Sequence, residues 1–156
     1  MLIHTIFGKI LKYCFLVLDY VRPVGELIVR LWLAKIFFMS GLAKVADWQS
    51  TVMLFTNVYD VPLLSPTVAA YIGTGFEFAL PVLLVLGLGG RLSILIFFIY
   101  NIACVLSFHA LWLPSGEAGL DQHINWGLLL LMLMFTGMGK ISLDHLIHKY
   151  WGQHLK

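Results

Sequence analysis

The 156-residue chain has a formal net charge of +2, is 60% hydrophobic and only 12% charged, and has a mean hydropathy of +0.91. Soluble domains carry roughly 25% charged residues, so half that charge cannot cover a water-facing surface and the excess apolar surface has to face lipid. The small net charge and the lack of a basic cluster with interleaved aromatics exclude nucleic acid as a partner. The two cysteines, Cys14 and Cys104, form no CxxC, which removes thiol–disulfide and zinc-ribbon centres.

In chain order, residues 1–24 read as an N-terminal amphipathic cytoplasmic segment, with Thr5, Lys9, Lys12 and Asp19 roughly along one face. A fifth crossing is the alternative. Lys9 and Lys12 interrupt the apolar run and no small-x-small site follows, which argues against a cleaved signal peptide. A helix crossing the hydrocarbon core needs about 20 mostly apolar residues, and four stretches qualify: 25–46, 66–88, 92–113 and 123–138. Between the first two, Trp48, Val52, Phe55 and Tyr59 recur at helical spacing, predicting a short helix on the outer surface. Ser65-Pro66 supplies an N-cap and a proline at the first helical position of the second span. Glycines at 87, 89 and 90 end that span, Pro114-Ser115-Gly116 breaks the third, and Gly137-Met138-Gly139 ends the fourth. Residues 143–156 read as a second amphipathic surface helix. The expected fold is therefore an all-α, four-transmembrane-helix bundle over residues 25–142, flanked by amphipathic segments.

Lys9, Lys12, Arg22, Arg91, Lys140, Lys149 and Lys156 flank one side of these spans, whereas Asp47, Asp60, Glu117 and Asp121 lie on the other. The bias of lysine and arginine predicts that both termini are cytoplasmic.

Ionisable groups at membrane depth are costly, by about 2.5–3.5 kcal/mol even on the lenient insertion scale, and call for a partner or a purpose. Arg30, Phe37, Gly41 and Lys44 share a narrow stripe of the first span, and Lys35 lies about 140° from Arg30. Glu77 sits midway along the second span, above a small-residue face of Ala70, Gly73 and Thr74. Pro81 cannot donate to the carbonyl of Glu77, so a bend is expected there. Arg30, Lys35, Glu77 and, on the third span, Asn101 form the candidate buried polar site. Two readings stand side by side: Glu77 pairs with Arg30 or Lys35 as a structural lock, or it handles a ligand or a proton. His109, Asp121 and His123, near adjacent span ends, are the only candidate metal ligands, at no recognised ligand spacing. Tail residues His145 and His148 read as solvated, the tryptophans as interfacial anchors, and the LMLMF run as core.

The succession RLWLAKIFFMSGLAK, then VPLLSPTVAAYIGTGFEFALPVLLVLGLGGR, then GMGKISLD resembles the DoxX family over about residues 27–146. Arg30, Gly41, Lys44, Glu77 and Arg91 are the positions that match the family pattern. The resemblance implies a four-helix protein of the bacterial inner membrane. Some relatives are named as small subunits of thiosulfate:quinone or quinol oxidoreductase systems, and others are linked to membrane redox complexes and to oxidant or metal stress. For this chain it implies an accessory subunit working with other membrane subunits, with a quinone as the associated ligand and no redox centre of its own. A small transporter or metal-handling protein using the His109/Asp121/His123 mouth, and a membrane scaffold or assembly factor, are the alternative functions.

Overall fold

The computed structural model describes residues 2–150, except the side chains of residues 2–7 and 10; the expected placements of Thr5 and of the tail from 151 to 156 lie outside the described residues. Six α-helices follow in order: α1 Leu2–Ala46, α2 Trp48–Asn57, α3 Pro66–Leu86, α4 Gly90–Ser107, α5 Glu117–Thr136 and α6 Leu143–Tyr150, with short 3-10 turns at His109–Trp112 and Pro114–Gly116. No strand occurs among the described residues.

The expected division between an N-terminal segment and a first span at residues 24 and 25 has no break in the backbone. The chain from Leu2 to Ala46 is one 45-residue helix that contains Pro23. Proline at this position removes a single hydrogen bond, the one to the carbonyl of Asp19, and the helix continues through it. At 1.5 Å per residue such a helix is about 67 Å long, roughly twice a hydrocarbon core. The described side chains from Gly8 to Arg22 are all exposed, so this half of α1 stands apart from the bundle.

Other boundaries shift for local reasons. α3 is opened by Ser65 in extended conformation and by Pro66, but the Ser65 side chain makes no capping bond; its carbonyl accepts from Ala69 N–H at 2.9 Å. α3 ends at Gly87, whose φ of 67° allows the Gly87 and Leu88 N–H groups to return to Leu84 and Leu83. The helix runs unbroken through Pro81. α4 stops at Ser107, short of the expected residue 113, because Phe108 leaves helical geometry at φ −110° and ψ 86°. α5 starts at Glu117, earlier than the expected residue 123, and stops at Gly137 with φ 86°.

The bundle is two helix pairs, α1 with α3 and α4 with α5, closed over one core. Side chains at i, i+3 or i, i+4 supply it: Leu33 and Phe37, Leu80 and Leu84, Ile94 and Phe97, Leu130 and Leu133. α2 does not lie free on the surface but docks along the first half of α3, where Phe55 meets Gly73 and the Trp48 ring sits 4.5 Å from Tyr71. Asp47 caps α2, accepting from Ser50 N–H at 3.0 Å and from the Ser50 hydroxyl at 2.6 Å.

α3 and α4 are long and apolar enough to cross a membrane, and only 39% and 22% of their most apolar stretches are buried inside the protein. A core helix of a soluble protein is buried on most sides, so these apolar faces belong against lipid. α1 and α5 fall outside that description by composition: α1 carries Glu26, Arg30, Lys35 and Lys44, and α5 opens with Asp121, Gln122, His123 and Asn125.

Candidate functional site

α1 and α3 lie in close contact where Gly41 faces Glu77; a Cβ on Gly41 would lie 3.2 Å from the Glu77 Cβ. The missing side chain brings the two backbones together and sets Glu77 level with the last turns of α1. Lys44, one turn beyond Gly41, points back along the helix as its Cα–Cβ bond directs. Its ammonium donates to Glu77 Oε1 at 2.7 Å and Oε2 at 2.9 Å, and to the Ser40 hydroxyl at 3.0 Å. Ser40 in turn donates to Glu77 Oε1 at 3.0 Å. Glu77 is 5% exposed. All three ammonium protons and both carboxylate oxygens are thus satisfied within a closed triangle of Ser40, Lys44 and Glu77.

This triangle forms one wall of a cavity of about 320 Å³ between the two helix pairs, roofed by α2. The other walls combine the aromatic rings of Phe37, Phe55, Tyr59, Phe76, Tyr100 and Trp126 with aliphatic and small side chains, and with Ser107 and His123. Phe37 meets Phe97 and Trp126 edge-on at 4.7 and 5.4 Å, which fixes the ring that separates the cavity from the core. Tyr100 donates to the Gly73 carbonyl at 3.0 Å, and Cys104 lies on the same wall. Tyr59 stands in the connection after α2; burial, with Glu77 and Cys104 nearby, pushes its hydroxyl above the ordinary tyrosine range. A volume of this size with one polar wall fits a flat ring bearing a hydrogen-bond acceptor.

The expected polar site is therefore rearranged. Neither Arg30 nor Lys35 pairs with Glu77; the partner is Lys44, which shares a helix stripe with Arg30 but lies fourteen residues further along it. Arg30 is fully buried a few turns away, at the other end of the bundle. Its Nε donates to the Leu84 carbonyl at 2.6 Å, Nη1 to Met138 at 2.8 Å and Ile141 at 2.7 Å, and Nη2 to Val85. These carbonyls lie in the last turn of α3, where that of Leu84 also accepts from Gly87 N–H, and in the loop before α6, so the guanidinium caps α3 and ties the last loop to it. Glu26, one turn earlier on α1 and 6% exposed, accepts from Arg22 Nε at 2.8 Å and packs against Gly139, whose φ of 73° leaves no room for a side chain. Ser142 closes the same loop, donating to Gly139 and accepting from His145 N–H. Lys35 is exposed and faces away from both clusters. Arg91 is exposed, with one long contact from Nη2 to the Phe135 carbonyl at 3.4 Å.

Asn101 is buried and joins α4 to α5: its amide donates to the His123 carbonyl at 3.0 Å and its oxygen lies 2.9 Å from His123 Nδ1. His123 thus belongs to an interhelical amide–imidazole pair at the edge of the cavity. His109 and Asp121 are exposed, and among the described residues no three metal-binding side chains converge. Ser40, Tyr59, Tyr100 and Trp126 were not among the expected site residues. The signal for Ser40 was its place four residues before Lys44; the aromatics carried none beyond their depth.

Apolar helices that turn their faces outward, with a lysine–glutamate pair sealed beside an aromatic cavity, define an all-helical membrane protein with an internal polar site. The chain belongs to the DoxX family, whose model matches residues 25–110, more than half of its length. That match begins just after Pro23 and contains Arg30, Gly41, Lys44, Glu77 and Arg91. The chain is 32% identical over 129 residues to inner membrane protein YphA of Escherichia coli (strain K12), covering 79% of this chain and 90% of that relative. It is also 32% identical over 134 residues to an uncharacterized protein of Haemophilus influenzae, covering 82% of this chain and 86% of that one. No solved structure matches the chain.

Proposed function

We propose that this protein crosses the bacterial inner membrane four times with both termini in the cytoplasm, and serves as an accessory subunit of a membrane redox or stress-response system, receiving a quinone headgroup in the cavity between its helix pairs. Two features of the bundle support four crossings. The charges that set α1 apart by composition are mostly neutralised inside it, Lys44 by Glu77 and Arg30 by carbonyls, and the polar start of α5 is held by Asn101. The exposed half of α1 then lies on the cytoplasmic side as an amphipathic arm, and α2 lies at the outer face.

The observation that carries the ligand reading is the Ser40–Lys44–Glu77 triangle in the wall of a cavity lined by aromatic and aliphatic side chains. A bound quinone supplies electron and proton carrying capacity to a partner oxidoreductase. Lys44 exchanges its Ser40 contact for a ring oxygen and holds that oxygen in place. Glu77, with two oxygens on Lys44, holds or releases a proton at the cavity wall. Trp126 and Phe37 supply flat surfaces and exclude water.

Titration of the purified protein with a short-chain benzoquinone, followed by calorimetry, tests this. Saturable binding is expected in the native chain and a loss of at least about tenfold in Lys44→Met, the share of a charge-assisted hydrogen bond. Equal binding in both sinks the quinone reading. Glu77→Gln is expected to abolish the redox or stress phenotype when compared at matched amounts of folded protein in the membrane, since loss of the pair also lowers stability. The internal satisfaction of the triangle favours a second reading, a scaffold in which the pair only locks α1 to α3. In that case Lys44→Met with Glu77→Gln keeps function, whereas the ligand reading loses it.

A further inference from the structure

A second depression lies on the opposite, lipid-facing side of the α1–α3 contact, about 350 Å³ in volume. Ala34 and Pro81 form its floor, Leu31, Val82 and Leu86 its sides, and Phe38 its far end, braced edge-on by Phe78 at 5.1 Å. Lys35 stands on its rim, exposed, with no hydrogen bond or ion pair among the described residues. All other polar character is absent from the groove.

An unpaired ammonium at this position needs an anion. Of the eight acidic residues, Glu77 and Glu26 are buried against Lys44 and Arg22, and the other six lie in the exposed half of α1, in the connections or in the first turns of α5 and α6. The apolar faces of a second copy's spans, seated on this groove, would therefore bring no partner for Lys35. Arg30 marks the end of the bundle by capping the last turn of α3, and Lys35 lies five residues further in, about 7.5 Å along the helix. A lysine side chain reaching back toward that end covers most of that distance and brings its charge toward the headgroup level.

We propose that this groove is a binding site for an anionic phospholipid of the leaflet on the side of the chain termini, with its phosphate on Lys35 and an acyl chain laid over Ala34 and Pro81 toward Phe38. Basic groups beside an apolar cleft between membrane helices recognise such lipids through this combination of charge and shape. The inference rests on the crossing of the membrane by α1 and α3 proposed above, but not on the quinone cavity, which opens on the other side of α1.

The test is lipid retention by the full chain purified in mild detergent, read by native mass spectrometry, with phosphatidylglycerol and phosphatidylcholine added back in competition. The native protein is expected to keep phosphatidylglycerol over phosphatidylcholine, and Lys35→Leu to lose that preference by about fivefold, the share of one basic group near the surface. Lys35→Arg keeps the preference. Val82→Trp, which fills the groove from an exposed position and leaves Lys35 in place, lowers retention of both lipids. Lys140→Leu, a charge change at the same end outside the groove, leaves retention unchanged. Equal phosphatidylglycerol preference in Lys35→Leu and the native chain overturns the proposal and leaves Lys35 a snorkelling lysine. If Lys35→Leu fails to fold, unaltered retention in Val82→Trp overturns it instead. Failure of the crossing reading shows separately, in residues of the exposed first half of α1 and residues after α1 labelling from the same side of the membrane.

Discussion

Lys44 and Glu77 lie 33 residues apart in sequence and 2.7 Å apart in space. Both are nearly buried, at 14% and 6% side-chain exposure, so each depends on the other for its charge. Removing one partner of such a pair leaves an uncompensated buried ion and costs about 3–5 kcal/mol, whereas replacing both with apolar or neutral groups of similar volume is close to neutral. Thermal unfolding in detergent is expected to show Lys44→Met and Glu77→Gln each strongly destabilised, with the double variant recovering most of the loss. Additive losses would mean that the two side chains do not depend on each other. Arg30 tests a different chemistry. Four carbonyls converge on one planar guanidinium, a fork that a lysine cannot reproduce. Arg30→Lys is expected to lower stability by about 1–3 kcal/mol, since three ammonium donors cannot serve four carbonyls and at least one buried acceptor loses its donor. An unfolding midpoint equal to the native one would show that charge alone suffices there. The sequence made both residues legible as anomalies, charged side chains in apolar stretches. It did not make their partners legible: Arg30 and Lys44 share a helix face, and only their separation along the axis, about 21 Å, decides that one meets the end of α3 and the other its middle.

At the scale of the element, α2 shows how a short helix comes to roof a cavity. Its apolar spacing was readable, but the small residue that receives it, Gly73, is on another helix. Its first turn depends on Asp47, whose carboxyl is held below the usual carboxylate range by the Ser50 hydroxyl first and by the Ser50 N–H. A depressed carboxyl favours the folded helix fully above its ordinary value near about 3.9 and loses that contribution as pH falls through the lowered one. Hydrogen exchange is therefore expected to show α2 amides protected at neutral pH and less so below about pH 4, and Asp47→Asn to flatten that dependence while keeping the cap. An unchanged acid response in Asp47→Asn would assign it to other groups. α1 makes the opposite point. Its amphipathic start and apolar continuation read as two segments, and nothing in the composition announced that a proline between them would be absorbed into one helix.

For the whole molecule, the arrangement that matters is the pairing of α1 with α3 and of α4 with α5, since the cavity lies between the pairs and the lipid groove outside one of them. The four-crossing topology is checked with cysteines. Cys14, exposed on α1, is expected to react with an impermeant maleimide only when the cytoplasmic face is accessible. A cysteine placed at Leu63, fully exposed in the connection between α2 and α3, reacts in intact cells once the outer membrane is permeabilised. Labelling of both from one side would require an even number of crossings between them and overturn the topology. By itself the sequence determined the helical class, the apolar surface owed to lipid, the turns at glycine and proline, and which ionisable residues needed partners, because composition, periodicity and backbone restriction are local properties. Only the tertiary structure decided that Glu77 belongs to Lys44, that Arg30 caps α3 and that Lys35 is left on a groove. Those outcomes depend on how far each helix slides against its neighbour, which is set by the close approach at Gly41 and by side chains far away in sequence.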